Sequence, residues 1–182
     1  MNKLPATPGQ TIGPFFGYAL PFDRSNELVP PGSVGAIGLH GTVTDGAGAP
    51  VPDALLEIWQ ADSDGAVPSS SSLRRDGDTF TGWGRAATDV DGHYCFTTVK
   101  PGASQQSTPF ITLAVFARGL LNRLFTRAYL PGDQLDADRL LSSVPADRRH
   151  TLIAAADEQG FRFDIRLQGA DETIFLRYRG QP

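Results

Sequence analysis

Residues 161–169, "FRFDIRLQG", alternate without exception: Phe161, Phe163, Ile165 and Leu167 against Arg162, Asp164, Arg166 and Gln168. A period of two puts every apolar group on one face of an extended chain, and no helix can follow it. The same signature recurs along the chain in short runs, each stopped by Gly, Pro or Asp. "AIGLHGTVT" predicts a strand over 36–44 with Ile37, Leu39 and Val43 on one face, and "ALLEIWQ" a strand over 54–60. Asp45-Gly46 and Gly48 mark the turn between them. "GRAATDVDGHYCFTTVKPG" reads as strand, turn at Asp91-Gly92, and strand, with Tyr94 and Phe96 facing one way and His93 and Cys95 the other. "FITLAVFA", 110–117, is apolar on both faces and predicts a central, buried strand, which residues 122–130 pair with.

One segment breaks the pattern. Between Leu130 and Gly160 the residues predict short helical turns, Asp136 capping one and Pro145 opening a helix that ends before Gly160. A last strand is expected at "ETIFLRY". Residues 61–79 are polar and low in complexity, a loop. The fold class expected is all-β: an antiparallel β-sandwich with one short helical excursion and a proline-rich N-terminal arm. One domain spans 1–182, as arm 1–35 and sandwich 36–182, and 182 residues suffice for one core. The arm carries Phe15, Phe16, Tyr18, Leu20 and Phe22, too much apolar surface to stay in water, so it is expected to pack on something.

The composition narrows the function. A net charge of −4 with no basic run argues against a nucleic-acid surface. One cysteine, Cys95, makes neither an internal disulfide nor a thiolate zinc site. Without a continuous apolar segment near the start or of membrane-spanning length, a soluble cytoplasmic protein is the default. His40, His93 and His150 are scattered and show no local metal spacing. Asp45, Asp89 and Asp91 sit where Asp makes Asx turns rather than calcium sites. There is no phosphate-binding glycine loop and no nucleophile elbow. Arg118 stands out because it follows the most apolar run of the chain. A guanidinium there wants a carboxylate or phosphate, and the chain's own acidic residues or a ligand could each supply it.

"HGTVTDGAGAPVPDALLEIWQADSDG", "GRAATDVDGHYCFTTVKPG" and "FARG…TRAYLPGD", in that order, resemble the intradiol ring-cleaving dioxygenases. "TPGQTIGPFF" and "RFDIRLQGADETIFL" extend the likeness over nearly the whole chain. The resemblance implies a prealbumin-like core and an O₂-dependent cleavage of a small dihydroxylated aromatic acid. It also implies a ferric site of two Tyr and two His, the histidines as His-x-His on the strand matching "FITLAVFA". Here Phe110 and Thr112 occupy those positions. Ala103, Ser104, Gln105 and Gln106 follow Lys100-Pro101-Gly102 where a Tyr is expected, and no Tyr lies between Tyr18 and Tyr94.

The chain is therefore most similar to the family's metal-free α subunits. The resemblance implies that Fe(III) is bound by an iron-bearing β subunit of the same enzyme in a hetero-oligomer, and not by this chain. This chain would contribute no catalytic residue and no metal ligand. It would contribute substrate-binding residues: Thr11, Gly13 and Pro14 of the arm at the pocket wall, and Arg118 at the substrate carboxylate. Phe15 stands where relatives often carry Tyr. A stand-alone structural or ligand-binding prealbumin-like sandwich, and a self-sufficient enzyme with relocated ligands, are the competing readings.

Overall fold

The computed structural model describes residues 7–13, 15–69, 73–103, 107–132 and 135–178. Among these residues nine strands form two sheets. In chain order they are β1 (Ala36–Thr44), β2 (Leu55–Trp59), β3 (Trp83–Ala87), β4 (His93–Val99), β5 (Phe110–Phe116), β6 (Leu124–Tyr129), β7 (Ala155–Asp157), β8 (Gly160–Arg162) and β9 (Ile165–Arg166). One sheet runs β3-β2-β5-β6, every pair antiparallel. The other runs β4-β1-β8-β7, with β9 also pairing with β1. The pairing is mainly antiparallel, but β8 and β9 both run parallel to β1.

Alternation dictates the core. Leu39, Val43, Tyr94, Phe96, Phe163 and Ile165 point inward from one sheet, and Leu56, Ile58, Ile111, Leu113 and Val115 from the other, into a single hydrophobic cluster. Burying each large side chain contributes roughly 1.5–3 kcal/mol, so the cluster is the main support of the strands. β5 lies between β2 and β6, as its two apolar faces predict. Tyr94 and Phe96 are buried, while His93 is half-buried and Cys95 exposed, as their alternation requires.

Three turns are built on one plan. Asp45, Asp62 and Asp89 each accept backbone N–H groups from two and four residues ahead through one carboxylate oxygen, at 2.8 to 3.0 Å. In each, the glycine three residues on (Gly48, Gly65, Gly92) has positive φ and donates to the aspartate's carbonyl. The turns at Asp45 and Asp89 each lie between strands of different sheets, β1 and β2 in one case and β3 and β4 in the other, whereas the turn at Asp62 lies in the connection between β2 and β3 of one sheet.

The helical excursion is shorter than its sequence suggests. A 3₁₀ turn at Leu135–Ala137 leads into α2, Arg139–Ser143. The cap of α2 is Asp138, not Asp136: its Oδ1 accepts from Leu140 N and Leu141 N. Pro145 opens a second 3₁₀ turn, which stops at Leu152. Residues 155–157 turn extended because β8 offers them hydrogen-bond partners across a hairpin whose Gly160 has a φ of 129°. The strand expected at the C-terminal end does not form among the described residues. Leu176 makes only an isolated bridge to Phe125. No helix among the described residues is long and apolar enough to cross a membrane.

Candidate functional site

The N-terminal segment folds back over the outer face of the β3-β2-β5-β6 sheet. Among its described residues the one helix is α1 (Phe16–Ala19), a single turn that period analysis misses. Phe16 packs on Phe116 at 5.5 Å between ring centroids, and Phe22 stacks on Trp83 at 6.2 Å. Between them, the Leu20 carbonyl accepts a 2.9 Å hydrogen bond from Arg85 Nη1. Arg85 is itself fixed from two sides, paired with Glu57 of the neighbouring strand and lying over the Trp83 ring. The apolar segment therefore finds part of its partner in its own chain. Phe15 and Tyr18 do not: they are 77% and 82% exposed.

The residues expected at the substrate contact lie on this segment and at the end of β5. Thr11 Oγ1 accepts from the Gly119 backbone N–H at 2.7 Å, which brings the segment against the residue next to Arg118. Gly13 accepts from Phe16 N at 3.2 Å, and the space where a Cβ would stand on Gly13 is open. Pro14 lies outside the described residues, as do Ser104, Gln105 and Gln106. Arg118 is not free: its Nε sits 2.8 Å from Asp53 Oδ2. Of the two partners open to it from sequence, the chain's own carboxylate is the one present.

The second region of interest surrounds Phe110 and Thr112. They line a cleft of about 380 Å³ together with Trp59, Gln60 and Thr81. Gln60 is committed to structure: its amide donates to the carbonyls of Ala61 and Val99 and accepts from Thr98 Oγ1. Arg127, opposite Thr112 on β6, lays its guanidinium 3.8 Å from the centre of the Phe110 ring. A phenyl group, a hydroxyl and an adjacent fixed cation do not fit a ferric ion, which needs anionic and imidazole donors. Four of the chain's seven histidines and tyrosines are engaged elsewhere. His40 Nε2 lies 3.1 Å from the Asp157 carboxylate, and His150 Nδ1 lies 2.8 Å from the Asp147 carbonyl. Tyr94 donates to the Phe163 carbonyl, and burial raises its pKa far above the usual phenol value. Tyr129 donates to Asp138, and burial pushes its pKa up to about 12. Among the described residues no group of three His, Cys, Asp or Glu is placed to hold a metal.

The family described as "Dioxygenase" matches residues 13–109. The protocatechuate 3,4-dioxygenase alpha chain of Burkholderia cepacia is 39% identical over 97% of this chain and 99% of its own length. The chain belongs to the intradiol dioxygenase family. The beta chain of the same enzyme from Burkholderia cepacia is also related, at 34% identity over 75% of this chain and 66% of its own length. A solved structure, the dioxygenase domain of a dioxygenase–carbohydrate-binding protein fusion from Streptomyces sp. SirexAA-E, superposes with a TM-score of 0.61 at 28% identity. It covers 80% of this chain and 88% of its own. Within the intradiol dioxygenase family this chain sits on the alpha-chain side, because there the match runs end to end.

Sequence reasoning missed three residues of this region. Asp53, Arg85 and Arg127 act through partners far away in sequence. Only Asp53 left a local trace, as the aspartate of a Pro-Asp turn before a strand.

Proposed function

We propose that this chain is the α subunit of a protocatechuate 3,4-dioxygenase, one domain made of an N-terminal arm and a β-sandwich, working in the cytoplasm with an iron-bearing β subunit. The complex cleaves protocatechuate with O₂ between its two hydroxylated carbons, giving 3-carboxy-cis,cis-muconate. Fe(III), held by the β subunit, supplies the catecholate binding and the activation toward oxygen. This chain supplies pocket wall, through Thr11, Gly13 and Pro14, and a cation, Arg118, for the substrate carboxylate. The carrying observation is the end-to-end match to an alpha chain, 39% identical over 97% of this chain and 99% of that one. Phe110 and Thr112, with Arg127 stacked beside them, support the assignment of the metal to the partner. The exposed rings of Phe15 and Tyr18 support an arm that is completed by another chain.

Co-expression with a β-type chain tests this. The pair should co-purify, contain iron and consume O₂ with protocatechuate, whereas this chain alone should contain no stoichiometric iron and no activity. Iron bound by the lone chain, or a fully active β-type chain without it, would overturn the assignment. Arg118→Ala in the assembled enzyme should lower kcat/KM for protocatechuate by about ten- to a hundredfold, since a charge-assisted contact contributes about 1.5–3 kcal/mol. Catechol, which lacks the carboxylate, should lose far less.

A further inference from the structure

The contact between Arg118 and Asp53 has a direction. Asp53 is the anchored member. It stands in the turn before β2 with a φ of 65°, a backbone conformation few side chains adopt. α1 lies close against it: a Cβ on Gly17 would stand 3.5 Å from the Asp53 carbonyl oxygen. Its side chain is 19% exposed, while that of Arg118 is 55% exposed. Asp53 Oδ2 holds Arg118 Nε at 2.8 Å, and Asp53 Oδ1 is buried without a hydrogen-bond partner. Arg118 thus supplies the one charge that compensates this carboxylate among the described residues, and the carboxylate in turn fixes one edge of the guanidinium.

A guanidinium is planar and offers its N–H groups along separate edges. With Nε engaged, the edge formed by the two Nη atoms points away from Asp53 and can still bind a carboxylate through two parallel hydrogen bonds. Asp53 also removes a cost. An exposed arginine has many rotamers, and immobilising such a side chain on binding costs affinity; one already held loses less. The backbone on the far side is fixed as well, because Gly119 N–H donates to Thr11 Oγ1.

We propose that Asp53 is a positioning residue for substrate recognition: it holds Arg118 so that its free Nη edge receives the carboxylate of the aromatic acid. The proposal rests on the reading of Arg118 as the carboxylate contact. Asp53 touches no reacting atom in it.

The test uses the assembled enzyme and three variants, Asp53→Asn, Arg118→Ala and the double variant, each assayed with protocatechuate and catechol. Asparagine tolerates positive φ, so Asp53→Asn removes the charge and keeps the turn. For Asp53→Asn, KM for protocatechuate should rise about two- to fivefold, the scale of a partly exposed ion pair. Its kcat should stay close to the parent value, and both constants for catechol should change less than twofold. Added to Arg118→Ala, Asp53→Asn should produce no further loss, because the two residues act as one unit. A selective Arg118→Ala effect with no Asp53→Asn effect overturns this proposal and leaves the Arg118 reading standing. Equal losses for both substrates in Asp53→Asn assign it a structural role and also overturn the proposal. Equal losses in Arg118→Ala overturn the Arg118 reading and the proposal with it.

Discussion

Replacing Arg85 with leucine should be far more damaging than its place on an outer sheet face suggests. The side chains of Arg85 and Glu57 are only 17% and 12% exposed, and they face each other across the β2–β3 ladder. Arg85→Leu would leave the Glu57 carboxylate without its cation. Removing one member of a buried pair costs about 3–5 kcal/mol, and the residual exposure places this case near the lower end. The Leu20 carbonyl loses its donor, for about 1 kcal/mol, and Trp83 loses a stacked cation, for about 0.5–1 kcal/mol. The sum is about 4–5 kcal/mol, a large part of the stability of a domain this size. Converting Glu57 to leucine as well should return about half of it, since an apolar pair needs no compensating charge. Urea unfolding followed by tryptophan fluorescence measures both, because the two tryptophans, Trp59 and Trp83, sit opposite each other on these strands. A cost below about 1 kcal/mol for Arg85→Leu, or a double variant no more stable than the single, would refute the view that charge compensation at Glu57 holds this face together.

Two further outcomes follow from local geometry. The Asp157 carboxyl is held below its ordinary pKa, chiefly by its hydrogen bond to His40, so it favours the folded state above the unfolded carboxylate pKa and loses that contribution as pH falls through the depressed value. Asp157→Asn should therefore flatten the acid limb of a stability–pH profile while leaving its slope above pH ~6 unchanged. Gly41→Ala should destabilise by about 3 kcal/mol in thermal unfolding, because a Cβ there would overlap the Phe163 backbone carbonyl, which belongs to the chain crossing from β8 to β9 and cannot rotate away.

The sequence made the strands legible wherever burial was one-sided. β1, β4 and the residues around Phe163 and Ile165 alternate because one face meets the core, and β5 reads as central because both its faces are apolar. What stayed hidden was set by distance. Nothing local tells that the turns at Asp45 and Asp89 pass between sheets while the one at Asp62 does not, since the hydrogen bonds of all three are the same. β7 is exposed on all three residues, so no period could mark it; it is a strand only because β8 is beside it. The segment 172–178 has strand-like residues but meets its neighbours at single backbone hydrogen bonds, Thr173 N to the Arg166 carbonyl and Leu176 N to the Phe125 carbonyl, rather than along a ladder. At the candidate site, Arg118 was conspicuous as a cation after an apolar run, but its partner Asp53 lies in a different turn and emerges only once β2 and β5 are side by side.

The three aspartate–glycine turns also bear on how this chain reaches its fold. Each closes within five residues, so its loop-closure entropy is small and it can form before any sheet exists. The opposite holds for the centre of the other sheet, where Leu39 must find Phe161 and Val43 must find Ile165 across most of the chain's length. The kinetic barrier should therefore lie in docking the C-terminal strands onto β1. Until that step is complete, β1 exposes an unpaired edge, and an arrested chain or one still being synthesised would be most open to aggregation along it.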